Sequence, residues 1–335
     1  MNAQGFRSST SAQGQDNTFR FWNAVPLPTE RPETLATLLQ QIQSAGTDIR
    51  ALIKERELYL RISVLGTCNL SCPFCHNEGA PKSGRLTLQD GDRIIEAGVK
   101  IGFTRIQFTG GEPLLHPEIV EFVRIAQRNV VDVGITTNGT RLLPRLVALA
   151  RAGLHRLHVS LMVEPLIEAG SGSGTWGVPP WLREICTICA ERGIALRFNL
   201  PVPVDHFRAA SRFMREMRTH AVDFKVFSML PEGDCRNTIF PTDRLQEIVD
   251  EENRERALLD ISARVLLRHH RVPAGLRCGT CADRDGCREQ SHSLRVGSNL
   301  VLRPCLAARR WDVAIDDSQD LFDQMEQAAL LALDY

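Results

Sequence analysis

The sequence predicts an α/β protein whose main body is a partial barrel of six βα units, a (βα)6 barrel. Three observations carry that expectation. Between residues 58 and 229 short β-branched apolar segments alternate with longer stretches of helical period. Each short segment also reads with period two, apolar on one face and polar on the other. Finally, turns rich in cysteine or glycine stand where the first three segments end. Such alternation implies parallel strands joined by right-handed crossovers. A doubly wound open sheet is the alternative use of the same units.

Taken in order, strands are expected at 58–64, 104–109, 131–136, 155–161, 194–200 and 222–229. Helices are expected at 88–101, 117–128, 141–152, 180–192 and 206–219, with another after Pro241. The stretch 245–270 reads as a solvated amphipathic helix that exposes Glu247, Asp250, Glu251 and Arg254, and 318–333 as a helix that packs on the barrel or between subunits. One strand face carries Leu60, Ile62, Phe108, Ile135, Val159 and Phe198 and should support the helices. The other presents Arg61 and Ser63, Arg105, Gln107 and Thr109, Asp132 and Thr136, His158 and Ser160, Arg197 and Asn199, Lys225 and Met229. A lumen packed with Val, Ile and Leu would not read this way. The pattern implies a wet cavity of mostly positive charge, suited to a small anionic substrate bearing phosphate or carboxylate.

Forty Lys and Arg balance forty Asp and Glu among 335 residues. Zero formal net charge gives no overall attraction to a nucleic acid polymer or an anionic membrane, so neither is expected as a partner. No run of about 18 apolar residues occurs, and residues 1–18 are rich in Ser, Gln and Asn without an apolar signal core. The expected organisation is a disordered leader over 1–28, a helical segment over 29–57, the barrel over 58–258, a cysteine-rich region over 259–310 and a helix over 311–335, in a cytoplasmic protein. In a reducing compartment the ten cysteines read as metal ligands, reactive thiols or buried small residues rather than as disulfides.

Cys68-Asn-Leu-Ser-Cys72-Pro-Phe-Cys75 follows the first strand as C-x3-C-x2-C. Three thiolates so close in sequence can converge on one centre. A closed zinc site needs a fourth ligand, and His76, adjacent to Cys75, is poorly placed to bend back. An iron–sulfur cube held by three cysteines keeps one iron open. Thr109-Gly110-Gly111-Glu112-Pro113-Leu114 closes the second strand and Thr136-Thr137-Asn138-Gly139 the third. All three motifs stand at strand carboxyl ends, where parallel α/β proteins bind ligands.

Together these motifs resemble those of the radical S-adenosylmethionine (SAM) superfamily. Over roughly residues 58–310 the chain is similar to the GTP cyclases of molybdenum-cofactor biosynthesis and their relatives. The resemblance implies that Cys68, Cys72 and Cys75 hold a [4Fe–4S] cluster whose open iron chelates SAM. It places Phe74, Gly110, Gly111, Glu112, Asn138, Ser160 and Met229 at SAM, and Arg61, Thr136, Arg197 and Arg295 at the substrate. It also implies reductive cleavage of SAM to a 5′-deoxyadenosyl radical, with an electron donor such as flavodoxin or ferredoxin. No protein side chain is assigned as catalytic; the cofactor carries the hard step.

A second set, Cys278, Cys281, Cys287 and Cys305, spells C-x2-C-x5-C-x17-C. Spacing alone fits a metal site, with four-cysteine zinc an alternative. The related cyclases carry a second iron–sulfur cluster here on three cysteines, so a fourth ligand would make it structural or electron-relaying rather than substrate-binding. Gln107 stands where those cyclases have an arginine, and Ser293 where they have the first arginine of a pair. These departures point away from a triphosphate and toward a nucleotide- or nucleoside-like metabolite, with carbon–carbon bond formation as one outcome. Cys186 and Cys189 share a helix face and read as buried small residues. Cys235 falls in a loop near the mouth, and the Gly/Ser-rich stretch 168–180 reads as a lid with Trp176 as a stacking residue. Two other functions compete: a peptide-modifying radical SAM enzyme, and a non-catalytic iron–sulfur or zinc interaction protein.

Overall fold

The computed structural model describes residues 48–72, 75, 83–130, 132–161, 178–203, 206–229, 242–267, 293–305 and 312–332, with the backbone alone at 228, 229 and 242. The described residues belong to one compact unit. After helix α1 (Ile49–Glu55) come β1 (Tyr59–Leu65), α2 (Leu88–Ile101), β2 (Arg105–Gly110), α3 (Ile119–Asn129), β3 (Asp132–Thr137), α4 (Leu143–Arg151), β4 (Arg156–Ser160), α5 (Pro180–Arg192), β5 (Ala195–Pro203), α6 (Phe207–Glu216) and β6 (Asp223–Met229). Then follow α7 (Thr242–Leu258), β7 (Val265–Leu267), β8 (Ser293–Val296), β9 (Val301–Arg303), β10 (Val313–Ala314) and α8 (Leu321–Ala332).

Among the described residues the strands form one sheet in the order β10-β9-β8-β1-β2-β3-β4-β5-β6-β7. From β1 to β7 spatial order follows chain order and every pairing is parallel. A doubly wound sheet reverses direction at a switch point; this one keeps turning the same way, as an open barrel does. The additions lie at the edges. The stretch 245–270 is not one helix: α7 ends at Leu258, and Val265–Leu267 pairs in parallel with β6. Ser293–Val296, inside the expected cysteine-rich region, pairs in parallel with β1, and β9 returns antiparallel to β8. Strands of three or four residues are too short for period two to register.

Local sequence explains the elements that matter most. Thr87 and Asp90 form a reciprocal capping box at the start of α2. Pro180 opens α5 and Gly193 closes it with a φ of 66°. Leu60, Ile62, Ile106, Phe108, Val133, Ile135, Leu157, Val159, Phe198 and Phe224 are fully buried beneath the helices. On the opposite face Arg61, Thr136, His158, Ser160, Arg197, Asn199, Lys225 and Arg295 are half-buried. Helix α8 packs on α2, β8 and β9 through Met325, Ala328, Ala329 and Leu331.

At the amino end of β6 a buried ion cluster ties the last units together. Arg256 on α7 is 1% exposed; it donates Nε to Glu252 Oε1 at 2.9 Å and Nη1 to the carbonyls of Val222 and Ala263 at 3.0 and 3.2 Å. Its guanidinium also lies 5.2 Å from the Phe224 ring centroid. Arg218 grips the same carboxylate with Nε at 2.8 Å and Nη2 at 2.6 Å. Glu252→Gln therefore strands two guanidiniums around a neutral amide. We expect urea denaturation to show a loss of about 3–5 kcal/mol, against less than about 0.5 kcal/mol for the exposed neighbour Glu251→Gln.

Candidate active site

The mouth is built from three loops that lock onto one another. Where β2 ends, Gly111 N donates to Leu65 O at 2.6 Å and Glu112 N to Thr67 O at 2.9 Å, docking this turn on the first residues of the cysteine loop. A Cβ on Gly110 would meet Leu65 O at 2.3 Å, and one on Gly111 would meet Thr67 O at 2.3 Å. The glycine pair is required by that close approach.

Glu112 has no exposed surface. Its Oε1 accepts from Leu114 N at 2.9 Å and from Thr137 Oγ1 at 2.6 Å, while Oε2 accepts from Asn138 N at 2.7 Å. Burial pushes the carboxyl up, and the three donors from Asn138, Thr137 and Leu114 pull it back. The carboxylate thus joins the β2 turn to the β3 turn. Asn138 carries the chain of bonds onward: Nδ2 donates to Asn69 Oδ1 at 3.0 Å and lies 3.7 Å from Cys68 Sγ. Asn69 Nδ2 in turn donates to Thr140 Oγ1 at 2.9 Å.

Cys68 and Cys72 are partly exposed and Cys75 exposed. Burial, then the charges of Cys75 and Cys68, push the Cys72 thiol up. Among the described residues no group of three or more His, Cys, Asp or Glu side chains is close enough to hold a metal ion. Residues 73, 74 and 76–82, Phe74 and His76 among them, lie outside the described residues. The donor set still fits a cubane cluster, with three cysteines close in sequence on one clamped loop.

Below the mouth lies the polar strand face. Arg61 pairs in register with Gln107 on one side and Arg295 on the other, and His158 with Thr136 and Arg197. Arg61 Nη2 donates to Thr109 Oγ1 at 3.3 Å. Arg197 reaches Asp223 only at 3.8 Å, and its buried Nε has no hydrogen-bond partner. Ser63 Oγ and Gln107 Oε1 are likewise buried without partners. Gln107 lies across the backbone of Gly134, where a Cβ would meet its Oε1 at 2.2 Å, and donates Nε2 to Thr136 Oγ1 at 3.0 Å. The positive reading of this face needs one correction: Arg105 and Arg156 share the carboxylate of Asp132 at 3.1 and 2.5 Å, which offsets one of their two charges at the amino ends of their strands.

Several expected residues cannot be placed. Cys278, Cys281, Cys287, Cys235 and Trp176 lie outside the described residues, as does the side chain of Met229. Cys305 is described and partly exposed. Because β9 runs antiparallel and pairs Arg303 with Arg295, Cys305 lies toward the amino ends of the parallel strands, away from the Cys68 loop. Asn69 and Thr137 escaped the sequence reading, although Asn69 adjoins Cys68 and Thr137 sits inside a quoted motif. Cys186 and Cys189 are buried, with thiols pushed up to about 12 mainly by burial.

Residues 62–162 match the family described as the Radical SAM superfamily. That stretch holds all three mouth motifs. The chain is also similar to the GTP 3',8-cyclases. It is 40% identical over 103 residues to the probable GTP 3',8-cyclase of Pyrococcus horikoshii, covering 30% of this chain and 33% of that one. It is 44% identical over 106 residues to the GTP 3',8-cyclase of Chlorobaculum tepidum, covering 31% and 32%. The chain thus spans about a third of the length of the curated relatives it matches. The fold likeness reaches further. Streptococcus suis SuiB bound to S-adenosylmethionine superposes with a TM-score of 0.61 at 17% identity, over 86% of this chain and 70% of that one. The protein anSMEcpe with bound S-adenosylmethionine gives 0.55 at 14% identity, over 81% and 79%.

Two outcomes test the site as described. Glu112→Gln sets an amide N–H against one of the three donors and should cost about 1–3 kcal/mol in urea denaturation; an unchanged midpoint would remove Glu112 as the joint between the loops. Cys186 and Cys189 should resist iodoacetamide at pH 8 in the native protein and react once it is unfolded, as read by peptide mass mapping.

Proposed function

We propose that this protein is a radical SAM enzyme acting on a small anionic metabolite, nucleotide- or nucleoside-like, with Cys68, Cys72 and Cys75 holding its [4Fe–4S] cluster. The observation that carries the reading is the cation-bearing strand face directly beneath the three-cysteine mouth, with Ser63 Oγ, Gln107 Oε1 and Arg197 Nε buried and unbonded. When bound, such a cluster supplies an open iron for SAM and the electron that releases a 5′-deoxyadenosyl radical. This chain's own residues hold and exclude. Asn138 and Asn69 brace the cysteine loop, Gly110 and Gly111 let backbone approach it, and Ser160 ends β4 on the cavity side. Arg61, Arg197 and Arg295 bind the anion, and Thr136, whose hydroxyl accepts from Gln107, keeps its own proton to donate. Phe74 and Met229 complete the SAM pocket in this reading.

A second cluster on Cys278, Cys281, Cys287 and Cys305 belongs to the same proposal, with a low-potential flavodoxin or ferredoxin as electron donor. SuiB, whose fold this chain shares, is also known bound to its precursor peptide SuiA, which keeps peptide modification as the competing reading. The charge of the cavity wall favours the smaller anion. Among the described residues no helix is long and apolar enough to cross a membrane.

Anaerobic reconstitution with iron and sulfide tests the assignment. The expected product is a brown protein that releases 5′-deoxyadenosine from SAM on reduction with dithionite. Cys75→Ala should lose the iron of the first cluster and drop release at least about 100-fold, the scale of losing a metal-site group. A colourless protein containing only zinc overturns the reading.

A further inference from the structure

His158 is a titratable group on the polar face that the proposed chemistry leaves unused. It stands on β4 between Thr136 on β3 and Arg197 on β5. Neither ring nitrogen makes a hydrogen bond to a described residue. The charges that act on it come from four strands: Arg197 on β5, Arg156 on its own strand, Arg61 on β1 and Lys225 on β6. The nearby acids do not offset them. Asp132 is held between Arg105 and Arg156, and Asp223 lies 3.8 Å from Arg197. Strand β2 contributes Gln107 and Thr109, and Arg295 adds a further cation beside Arg61.

We propose that His158, Arg61, Arg197 and Lys225 form one site for a phosphate group of the substrate, and that the phosphate enters together with a proton taken up by His158. This deepens the reading of the polar face as the substrate cavity and rests on it. Burial and then the surrounding cations hold the empty imidazole well below its usual range, so at neutral pH it is uncharged. A bound dianion cancels the field that kept the proton away. The proton adds to a ring nitrogen, and the imidazolium becomes a donor to the anion. Donors converging from β1, β4, β5 and β6 suit a tetrahedral oxyanion better than a planar carboxylate with two oxygens.

Sulfate is the probe, because it is tetrahedral, doubly charged and does not titrate near neutrality. The full-length protein is titrated with sulfate by calorimetry in buffers of different ionisation enthalpy. The expected result is uptake of close to one proton per sulfate at pH 7, with affinity falling about tenfold per pH unit between pH 6.5 and 7.5. His158→Gln should bind sulfate without proton uptake and without that pH dependence, and Arg197→Leu should weaken binding at least about tenfold. Acetate should bind more weakly than sulfate. Absence of sulfate binding, binding without proton uptake in the unaltered protein, or equal affinity for acetate each overturns the proposal, whether or not either variant folds. The 5′-deoxyadenosine assay is independent: a protein that cleaves SAM but ignores sulfate loses this inference and keeps the radical SAM reading.

Discussion

The mouth of the barrel depends on a single buried carboxylate. Glu112 reaches no solvent, yet three donors from two turns converge on it. An ion in that position is tolerated only because its lone pairs are filled, and each bond that fills one also fixes a loop. Through Asn138 the constraint extends to Asn69, and through the backbone of residues 111 and 112 it extends to Leu65 and Thr67. The cysteine loop is thereby gripped at its root from two neighbouring strands. A loop root held in this way leaves less backbone to order when a ligand binds there.

The same strands separate two environments. Their outer residues are sealed under helices, while the inner ones remain half-buried and carry Arg61, His158, Arg197, Lys225 and Arg295. Charges of one sign on a concave, partly dry surface reinforce one another far more than they would on an open one. That is why burial and the neighbouring cations leave His158 uncharged, although the chain as a whole carries no excess of basic residues.

The βα order was legible because each repeating unit announces itself twice, by strand periodicity and by a helix of amphipathic spacing. Helices 88–101 and 180–192 begin and end where the sequence places them, since a capping box, a helix-opening proline and a closing glycine mark their limits. The three mouth motifs were legible as sequence, but their division of labour was not. A buried glutamate and an exposed one look alike in a motif, so only the fold reveals that Glu112 joins loops. The edge strands β7 and β8 were missed because three or four residues hold too little pattern, and because pairing β8 beside β1 is a contact across most of the chain. The pairing of Arg105 and Arg156 with Asp132 depends on register between neighbouring strands, which hydrophobic spacing does not specify.

Gln107 shows how the wall of the cavity differs from a plain ring of cations. Gly134 leaves the space that lets its amide lie flat along β3, and Thr136 holds it there. A longer, charged side chain at that position could not take the same place without moving Gly134 or reaching out into the cavity. Thus the neutral residue and the neighbouring glycine act as a pair: the glycine makes room for the amide, and the amide packs along β3 beside Arg61. The cations that remain are concentrated on β1, β5, β6 and β8, with His158 between Thr136 and Arg197 on the intervening wall.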